Sequence, residues 1–254
     1  MRRITALVIA AVLVLVVTFT GVARADENDF KVTLSASVLS AYVLGDGVRL
    51  HGPVYQHGMD ILSPWGVYLA PWQSVGLNDS NLDSDDGDEI DWTAGWRKKI
   101  GNTDVDVGGT YLLIPPFRGP AKKHIVRVFG EVSHTFSVGV HTIAPSLRLE
   151  YSMRPPGSTA RTQASVLVLN GVSHFVPLTN TVAMFDKVSL NYDSGALTGH
   201  HMFLFQSLHG LRWNPTKRVT IEAPNIKLSI PITHTPDNRK FEAVFGAGIV
   251  VSLF

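Results

Sequence analysis

Apolar and polar residues alternate along most of the chain after about residue 30. In the segment 88–100, Ile90, Trp92, Ala94 and Trp96 alternate with acidic, threonine and arginine residues. Successive side chains of a β-strand point to opposite faces, so this pattern predicts strands with one apolar and one polar face. Similar runs of about 9–15 residues recur between clusters of Gly, Pro, Asn and Asp. The pattern predicts an all-β protein.

The number and length of these runs favour a membrane barrel. They are longer than the usual soluble strand of about 5–6 residues, whereas a tilted membrane strand needs about 9–11. About twelve strands are predicted, within a range of 10–14, and bacterial single-chain barrels have an even number. The predicted ranges are 30–44, 53–62, 65–76, 88–100, 103–114, 123–137, 141–153, 160–176, 180–193, 200–213, 217–233 and 239–254.

The connections between these strands alternate between longer and shorter segments. The longer set comprises 45–52, 77–87, 115–122, 154–159, 194–199 and 234–238, and the shorter set lies near 63–64, 101–102, 139–140, 177–179 and 214–216. Outer-membrane barrels place long loops outside and short turns in the periplasm. A soluble sandwich gives no reason for this alternation. We therefore predict a closed antiparallel transmembrane β-barrel with polar residues facing the lumen.

The two ends of the chain agree with export to the bacterial outer membrane. Arg2 and Arg3 precede an apolar run over 4–22 and a small-residue site ending at Ala25, which predicts a signal peptide over 1–25, cleaved after Ala25, and a barrel domain over 26–254. An uncleaved anchor helix is the alternative, because the run is slightly long. The last residue, Phe254, is interpreted as a barrel-assembly signal. The expected partners are the barrel-assembly machinery, membrane lipid, lipopolysaccharide and small solutes.

Composition narrows the classes of function. The chain has 22 Lys+Arg and 21 Asp+Glu, and loss of the signal peptide would leave a net charge of about −2. Nucleic-acid binding would need a clustered basic face, so no such partner is expected. The chain contains no cysteine, so a closed sheet rather than disulfides must hold it together.

The predicted register places charges of both signs in the lumen. The pore-lining candidates are Arg97, Asp104, Asp106, Arg127, Glu131, Arg148, Glu150 and Lys187, and four further inward charges are Glu89, Asp91, Glu222 and Lys227. Such side chains can line a wet pore and set its ion preference, or they can pair between strands and fill a narrow barrel. Arg127, Glu131, Arg148 and Glu150 are predicted to form any constriction.

Other polar clusters are weaker candidates for a metal or catalytic site. The acidic cluster Asp79, Asp83, Asp85, Asp86, Asp88 and Glu89 is interpreted as a solvated loop rather than a calcium site. The pair His200-His201, and the pairs Ser133-His134 and Ser173-His174, place neighbours on opposite strand faces. We therefore expect no metal, no cofactor and no enzymatic activity, and an outer-membrane hydrolase is the least favoured alternative.

Two local features of the sequence predict a β-bulge and two aromatic girdles. Apolar positions change phase around Pro224, and because proline cannot donate to the ladder, a β-bulge is predicted there. Aromatic residues near predicted strand ends would form interfacial girdles. Trp65, Trp96 and Trp213 are assigned to the periplasmic girdle, and Trp72, Trp92, Tyr151 and Tyr192 to the outer one.

The first third of the chain resembles the TorF family of bacterial porins. The resemblance rests on Ser-Ala-Tyr-Val-Leu at 40–44, Val-Tyr-Gln-His-Gly-Met-Asp at 54–60, Gly-x-Tyr-x-x-x-Trp-x-Ser at 66–74 and Glu-x-Asp-x-x-x-Gly-Trp at 89–96. It covers about residues 36–115 well. The Arg-Gly pair of the family is absent, because Asp46 precedes Gly47. The resemblance implies an outer-membrane barrel and a channel, without catalytic residues or a defined substrate.

These observations predict passive diffusion of small solutes across the outer membrane. The alternative is a non-conducting barrel with a structural or adhesive role. The sequence leaves the solute, the gating and the oligomeric state open.

Overall fold

The computed structural model describes residues 30–43, 49–77, 88–114, 123–158, 165–194, 202–232 and 241–253. Within these ranges, no helix is long and apolar enough to cross a membrane. The strands are β1 (Lys31–Leu39), β2 (Tyr42–Val43), β3 (Arg49–His51), β4 (Val54–Leu62), β5 (Val67–Gly76), β6 (Glu89–Ile100), β7 (Thr103–Ile114), β8 (Lys123–His134), β9 (Phe136–Val138), β10 (His141–Met153), β11 (Ser165–Pro177), β12 (Val182–Asp193), β13 (Met202–Trp213), β14 (Val219–Pro231) and β15 (Glu242–Ser252).

Twelve of these strands form one antiparallel sheet that closes on itself. Each pairs with the next along the chain, in the order β1, β4, β5, β6, β7, β8, β10, β11, β12, β13, β14 and β15. The sheet closes between β15 and β1, where Ala36 lies opposite Ile249. Closure leaves no unpaired edge, and it confirms the predicted all-β barrel of twelve strands.

Two predicted strands are interrupted. The strand predicted over 30–44 leaves the barrel after Leu39, and β2 pairs with β3 in a separate hairpin. The strand predicted over 123–137 breaks at Thr135, whose N–H donates to the carbonyl of Asn102 over 2.8 Å. The short β9 then continues against β10. Thr135 thus bonds outside its own ladder, and the chain after Leu39 begins a separate hairpin at Tyr42. Alternation along the chain reveals neither change.

The connections follow the predicted alternation. Those at one end of the barrel, such as 101–102 and 139–140, have at most five residues, and those at the other end have eight or more. Gly101 and Gly139 have φ of 60° at the first position of two-residue turns. Such hairpin turns require a positive φ, which glycine adopts without steric cost. We refer to these ends as the short-turn end and the long-loop end.

The outer face of the barrel is apolar. Trp92 and Tyr111 lie directly opposite each other on this face and both are exposed. The other exposed apolar residues of this face include Val38, Leu69, Val107, Val128, Leu149, Val172, Val188, Leu190, Phe203, Leu211 and Phe245. In β13, whose facing the sequence leaves open, Phe203 points outward, whereas Leu204 is fully buried inside. A face of this composition suits lipid rather than water.

The predicted irregularity at Pro224 is present. The pairing of β14 with β15 shifts register between Glu222 and Asn225. As a result, Ile221 and Ile226 both lie on the apolar outer face although their numbers differ in parity. The bulge thus accounts for the change of phase in the sequence.

One predicted girdle residue lies inside the barrel. Trp65 and Trp213 are exposed at the short-turn end and Trp92 is exposed on the outer face, but the ring of Trp72 lies 6.0 Å from that of Tyr42, inside the barrel. Pro71 pairs with Trp92 and takes the outer position. The girdle assignment of Trp72 is therefore wrong, because β5 has apolar residues on both faces and its alternation is ambiguous.

Candidate functional site

A rung of four charged residues crosses the inner wall. Arg97, Asp106, Glu131 and Arg148 lie directly opposite one another on β6, β7, β8 and β10. Directly opposite residues of an antiparallel sheet share a face. Glu131 and Arg148 line a cavity inside the barrel, so the whole rung faces the lumen.

Arg148 is fixed at one end of this rung. Its Nε donates to Glu150 Oε1 over 2.6 Å, and its Nη1 donates to Glu131 Oε2 over 3.2 Å. The guanidinium carbon lies 3.7 Å from the centre of the Phe129 ring. Two charge-assisted hydrogen bonds and a cation–π contact hold the cation in one geometry. The two carboxylates outnumber the guanidinium, so this group carries a net charge of −1.

Arg97 is held at the other end by residues from two further strands. It forms an ion pair with Asp60 of β4, and its guanidinium carbon lies 4.6 Å from the centre of the Tyr68 ring. The Tyr68 hydroxyl donates to Asp106 Oδ1 over 2.9 Å. These contacts join side chains from four neighbouring strands, β4, β5, β6 and β7, on the lumen side of the sheet.

Two glycines make room for these aromatic rings. Gly95 and Gly108 lie directly opposite each other. A Cβ on Gly108 would lie 2.9 Å from Phe129 Cζ and 3.1 Å from the Tyr68 hydroxyl. The rings that support Arg148 and Arg97 therefore fill the space that side chains at these two positions would take.

A cavity of about 410 Å³ separates Arg148 and its two carboxylates from the opposite wall. That wall carries Lys187, Lys227 and a ladder of polar side chains. In the ladder, Asn191 Nδ2 donates to Gln206 Oε1 over 3.0 Å, and Gln206 Nε2 donates to Ser229 Oγ over 2.9 Å. The lumen thus has an acidic wall with a fixed arginine and a basic, amide-rich wall facing it.

The segment Ser40–Val43 folds into the barrel at the long-loop end, and we refer to it as the strap. The Tyr42 hydroxyl donates to Glu89 Oε2 over 2.6 Å, and Lys227 Nζ donates to the Val43 carbonyl over 3.1 Å. Burial, and then the Glu89 carboxylate, raise the pKa of Tyr42 well above its usual value, so the hydroxyl remains a donor. Val43 packs in a buried cluster with Ala41 and Val244.

The remaining pore-lining candidates also lie on the inner face. Asp104 is two residues before Asp106 and lies 3.9 Å from Lys99. Arg127 lies opposite Thr110, four residues from Glu131 towards the long-loop end, and Lys187 lines the cavity. Whether these side chains line a conducting pore remains a prediction.

Several residues of the inner network were missed from the sequence. They are Asp60, Tyr68, Asn191, Gln206 and Arg212. Arg212 Nη2 donates over 2.6 Å to Oε1 of Glu222, which was predicted as an inward charge. Asp60 follows Gln56 and Gly58 at alternate positions, so the period of β4 alone could have found it.

A second polar cluster lies on the outer face near the short-turn end. His174, Asp186 and His209 lie directly opposite one another on β11, β12 and β13. Asp186 Oδ1 lies 2.7 Å from His209 Nδ1, Asp186 Oδ2 lies 3.4 Å from His174 Nδ1, and His174 Nε2 is hydrogen-bonded to His141 Nδ1 over 2.9 Å. We refer to these four residues as the outer polar row. Among the described residues, no group of three or more His, Asp or Glu residues could hold a metal ion.

Part of the acidic loop is buried rather than solvated. Asp88 is buried and its Oδ1 accepts from the Gly76 N–H over 2.8 Å, and Glu89 is bonded to the strap. The interpretation of these two residues as a solvated loop is therefore wrong, because Asp88 accepts from a backbone N–H at the end of β5 and Glu89 accepts from the strap. The other predicted residues of that cluster, together with His200, His201, Ala25 and Phe254, lie outside the described residues.

The chain shares its fold with known outer-membrane barrels. The NanC porin has 8% identity and a TM-score of 0.54, with 87% of this chain and 98% of that chain covered. An outer-membrane channel from Pseudomonas putida F1 has 9% identity and a TM-score of 0.51, with 91% and 99% covered. The translocator domain of the autotransporter NalP from Neisseria meningitidis has 10% identity and a TM-score of 0.51, with 97% and 95% covered. No protein-family profile and no curated protein sequence matches the chain.

Proposed function

We propose that this protein is an outer-membrane channel through which small water-soluble solutes diffuse passively. The observation that carries this proposal is the cavity of about 410 Å³ between two charged walls inside a closed barrel with an apolar exterior. Charged and amide side chains around a cavity can replace part of the hydration shell of a passing solute. Solved porins and channels with the same fold support the proposal.

The proposed route to the membrane uses both ends of the chain. Residues 1–25 act as a signal peptide cleaved after Ala25, and Phe254 contributes to recognition by the barrel-assembly machinery. The mature protein then contacts lipid and lipopolysaccharide through its apolar outer face. N-terminal sequencing of protein from the outer-membrane fraction would test this route, with Asp26 expected as the first residue. A chain that retains residues 1–25 would contradict it.

The sequence resemblance to the TorF porins fits this function. The residues that carry it include Tyr42, Trp72 and Glu89, and all three meet at the strap inside the barrel. We propose that the chain is a distant relative of that family and that the shared residues hold the strap in place.

A non-conducting structural barrel is the second candidate function. It is favoured by the pairing of Arg97, Arg148 and Arg212 with carboxylates and by the buried strap at the long-loop end. We propose no enzymatic function. In support of this, Ser173 and His174 lie on opposite faces of β11, as neighbours on a strand do, so the pair does not form one catalytic site.

Planar-bilayer recording of the refolded protein separates the two candidates. A channel gives discrete conductance steps in potassium chloride, whereas a filled barrel gives none. Heat-modifiable gel migration of the same sample establishes that the barrel has folded. A folded barrel without conductance steps in several salts would refute the channel and support the structural role.

A further inference from the structure

Lys187 is an exposed cation on the wall of the lumen cavity. It lines the cavity, its side chain is exposed, and it forms no salt bridge with another described residue. A Cβ on Gly171 would lie 3.4 Å from Lys187 Cε and 3.5 Å from Ser146 Oγ. The lysine side chain therefore extends from β12 over Gly171 towards β10. An ammonium group in this position can pair with the carboxylate of a solute.

Glu131 is an accessible carboxylate on the other wall of the same cavity. It lines the cavity and its side chain is 31% exposed, whereas that of Glu150 is only 7% exposed. Arg148 donates to one oxygen of Glu131, Oε2, and the same guanidinium also donates to Glu150. Because two carboxylates share one cation, a negative charge remains on this wall. Glu131 can therefore pair with a cationic group of a solute as well.

Leu169 lies between these two charges. It is two residues from Gly171 on the inner face of β11 and lies directly opposite Arg148. Arg148 in turn lies opposite Glu131. Leu169 and Leu208 both line the cavity, so a carbon chain there would have apolar contacts. Two strand spacings of about 4.8 Å separate β11 from β8, a width that a chain of a few carbon atoms bridges with one hydrogen bond of about 2.8 Å at each end.

We propose that this cavity binds a small zwitterion, of the chemical class of a short amino acid. The carboxylate of the ligand pairs with Lys187, its ammonium group pairs with Glu131, and its carbon chain lies against Leu169. A simple anion or cation satisfies only one of the two charged walls, whereas a zwitterion satisfies both. The inference rests on the proposed function for how the ligand enters the lumen, and it deepens that function by naming the class of solute.

The test compares the binding of three molecules that share one carbon skeleton. At neutral pH γ-aminobutyrate carries both charges, butyrate carries only the carboxylate and butylammonium carries only the ammonium group. Saturation-transfer NMR measures their dissociation constants for the intact refolded protein in detergent, with protein-free micelles as the blank. γ-Aminobutyrate is expected to bind about fivefold more tightly than either of the other two, which is the contribution of one solvent-accessible ion pair.

Variants assign each contact. Lys187→Met should weaken γ-aminobutyrate binding about fivefold, to the level of butylammonium, and Lys187→Arg should restore it. Glu131→Gln should weaken it to the level of butyrate. Lys98→Met is the matched control, because Lys98 lies on the outer face of β6 with the exposed Trp92, and it should bind like the unaltered protein. Heat-modifiable gel migration establishes that each variant has folded, and the Lys187 variants decide the outcome where Glu131→Gln does not fold.

Three results would overturn the proposal. They are equal binding of the three molecules by the unaltered protein, absence of γ-aminobutyrate binding by a folded barrel, and γ-aminobutyrate binding that Lys187→Met leaves unchanged. A preference for γ-aminobutyrate supports the site even when bilayer recordings show no channel. Conductance without this preference overturns the site and leaves the channel in place, so failure of the site and failure of the channel are distinguished.

Discussion

Arg148 faces Glu131 across the pairing of β10 with β8, and its Nη1 donates to Glu131 Oε2 over 3.2 Å. The same guanidinium binds Glu150, so one cation pairs with two carboxylates on this wall of the lumen. Glu131 and Glu150 therefore share one guanidinium as their ion-pair partner. Removal of that side chain would expose both carboxylates to the lumen.

The first prediction is that Arg148→Ala makes the lumen more selective for cations. The lost charge corresponds to about 1 kcal/mol per unit charge at 4 Å in water, which raises local cations roughly fivefold and lowers local anions roughly fivefold, so that their ratio changes roughly thirtyfold. Reversal potentials in a potassium chloride gradient measure this ratio. Asp186→Asn, which removes a charge on the outer face, serves as the control and should leave the reversal potential unchanged. An unchanged reversal potential in Arg148→Ala would remove this residue from the conducting path.

The second prediction concerns Gly108 and the packing beneath the charged rung. In Gly108→Ala, the new Cβ would lie 2.7 Å from the Ala94 carbonyl oxygen and 2.9 Å from Phe129 Cζ. Overpacking of this kind costs about 1–3 kcal/mol, and the expected result is a lower urea midpoint for the barrel refolded in vesicles. The nearest atom to a Cβ on Gly130 is 3.9 Å away, so Gly130→Ala should keep the midpoint or raise it slightly. Equal midpoints for the two variants would contradict the packing argument.

The strands, their alternation and the two kinds of connection could be predicted from the sequence because each depends on neighbours along the chain. Period-two patterning fixes which residues share a face, and it places all eight pore-lining candidates on the inner wall. The same reasoning gave the bulge at Pro224, since a phase change is visible locally.

The contacts within the lumen could not be predicted in the same way. The pairing of Arg97 with Asp60 spans an intervening strand, and it depends on the reach of a long side chain over Tyr68. The strap is a connection that returns into the barrel, and its anchors Glu89 and Lys227 are distant in sequence from Tyr42. Alternation assigns faces, but it says nothing about which residues meet across a closed space.

The third prediction concerns the outer polar row. Asp186 and His209 are directly opposite on the outer face, and their side chains are joined over 2.7 Å. Hydrogen bonds between side chains in a membrane contribute about 0.6 kcal/mol on average and about 1.7 kcal/mol at most. A double-mutant cycle with Asp186→Ala and His209→Ala, followed by urea unfolding in vesicles, should give a coupling energy in this range. Strictly additive effects would show that the contact does not stabilise the barrel, and a change in conductance would contradict its place outside the lumen.

The fourth prediction is that Tyr42→Phe loosens the strap and increases conductance. The substitution removes the Tyr42 hydroxyl, which donates to Glu89, and it keeps the ring that contacts Trp72. Hydrogen bonds to charged groups contribute about 1.5–3 kcal/mol, so the strap should leave its place more often. Single-channel recording should show a larger or noisier open state than in the unaltered protein. Tyr55→Phe is the matched control, because Tyr55 lies on the outer face stacked on His57. Conductance that is unaltered in Tyr42→Phe, or altered equally in both variants, would show that the strap does not limit passage through the lumen.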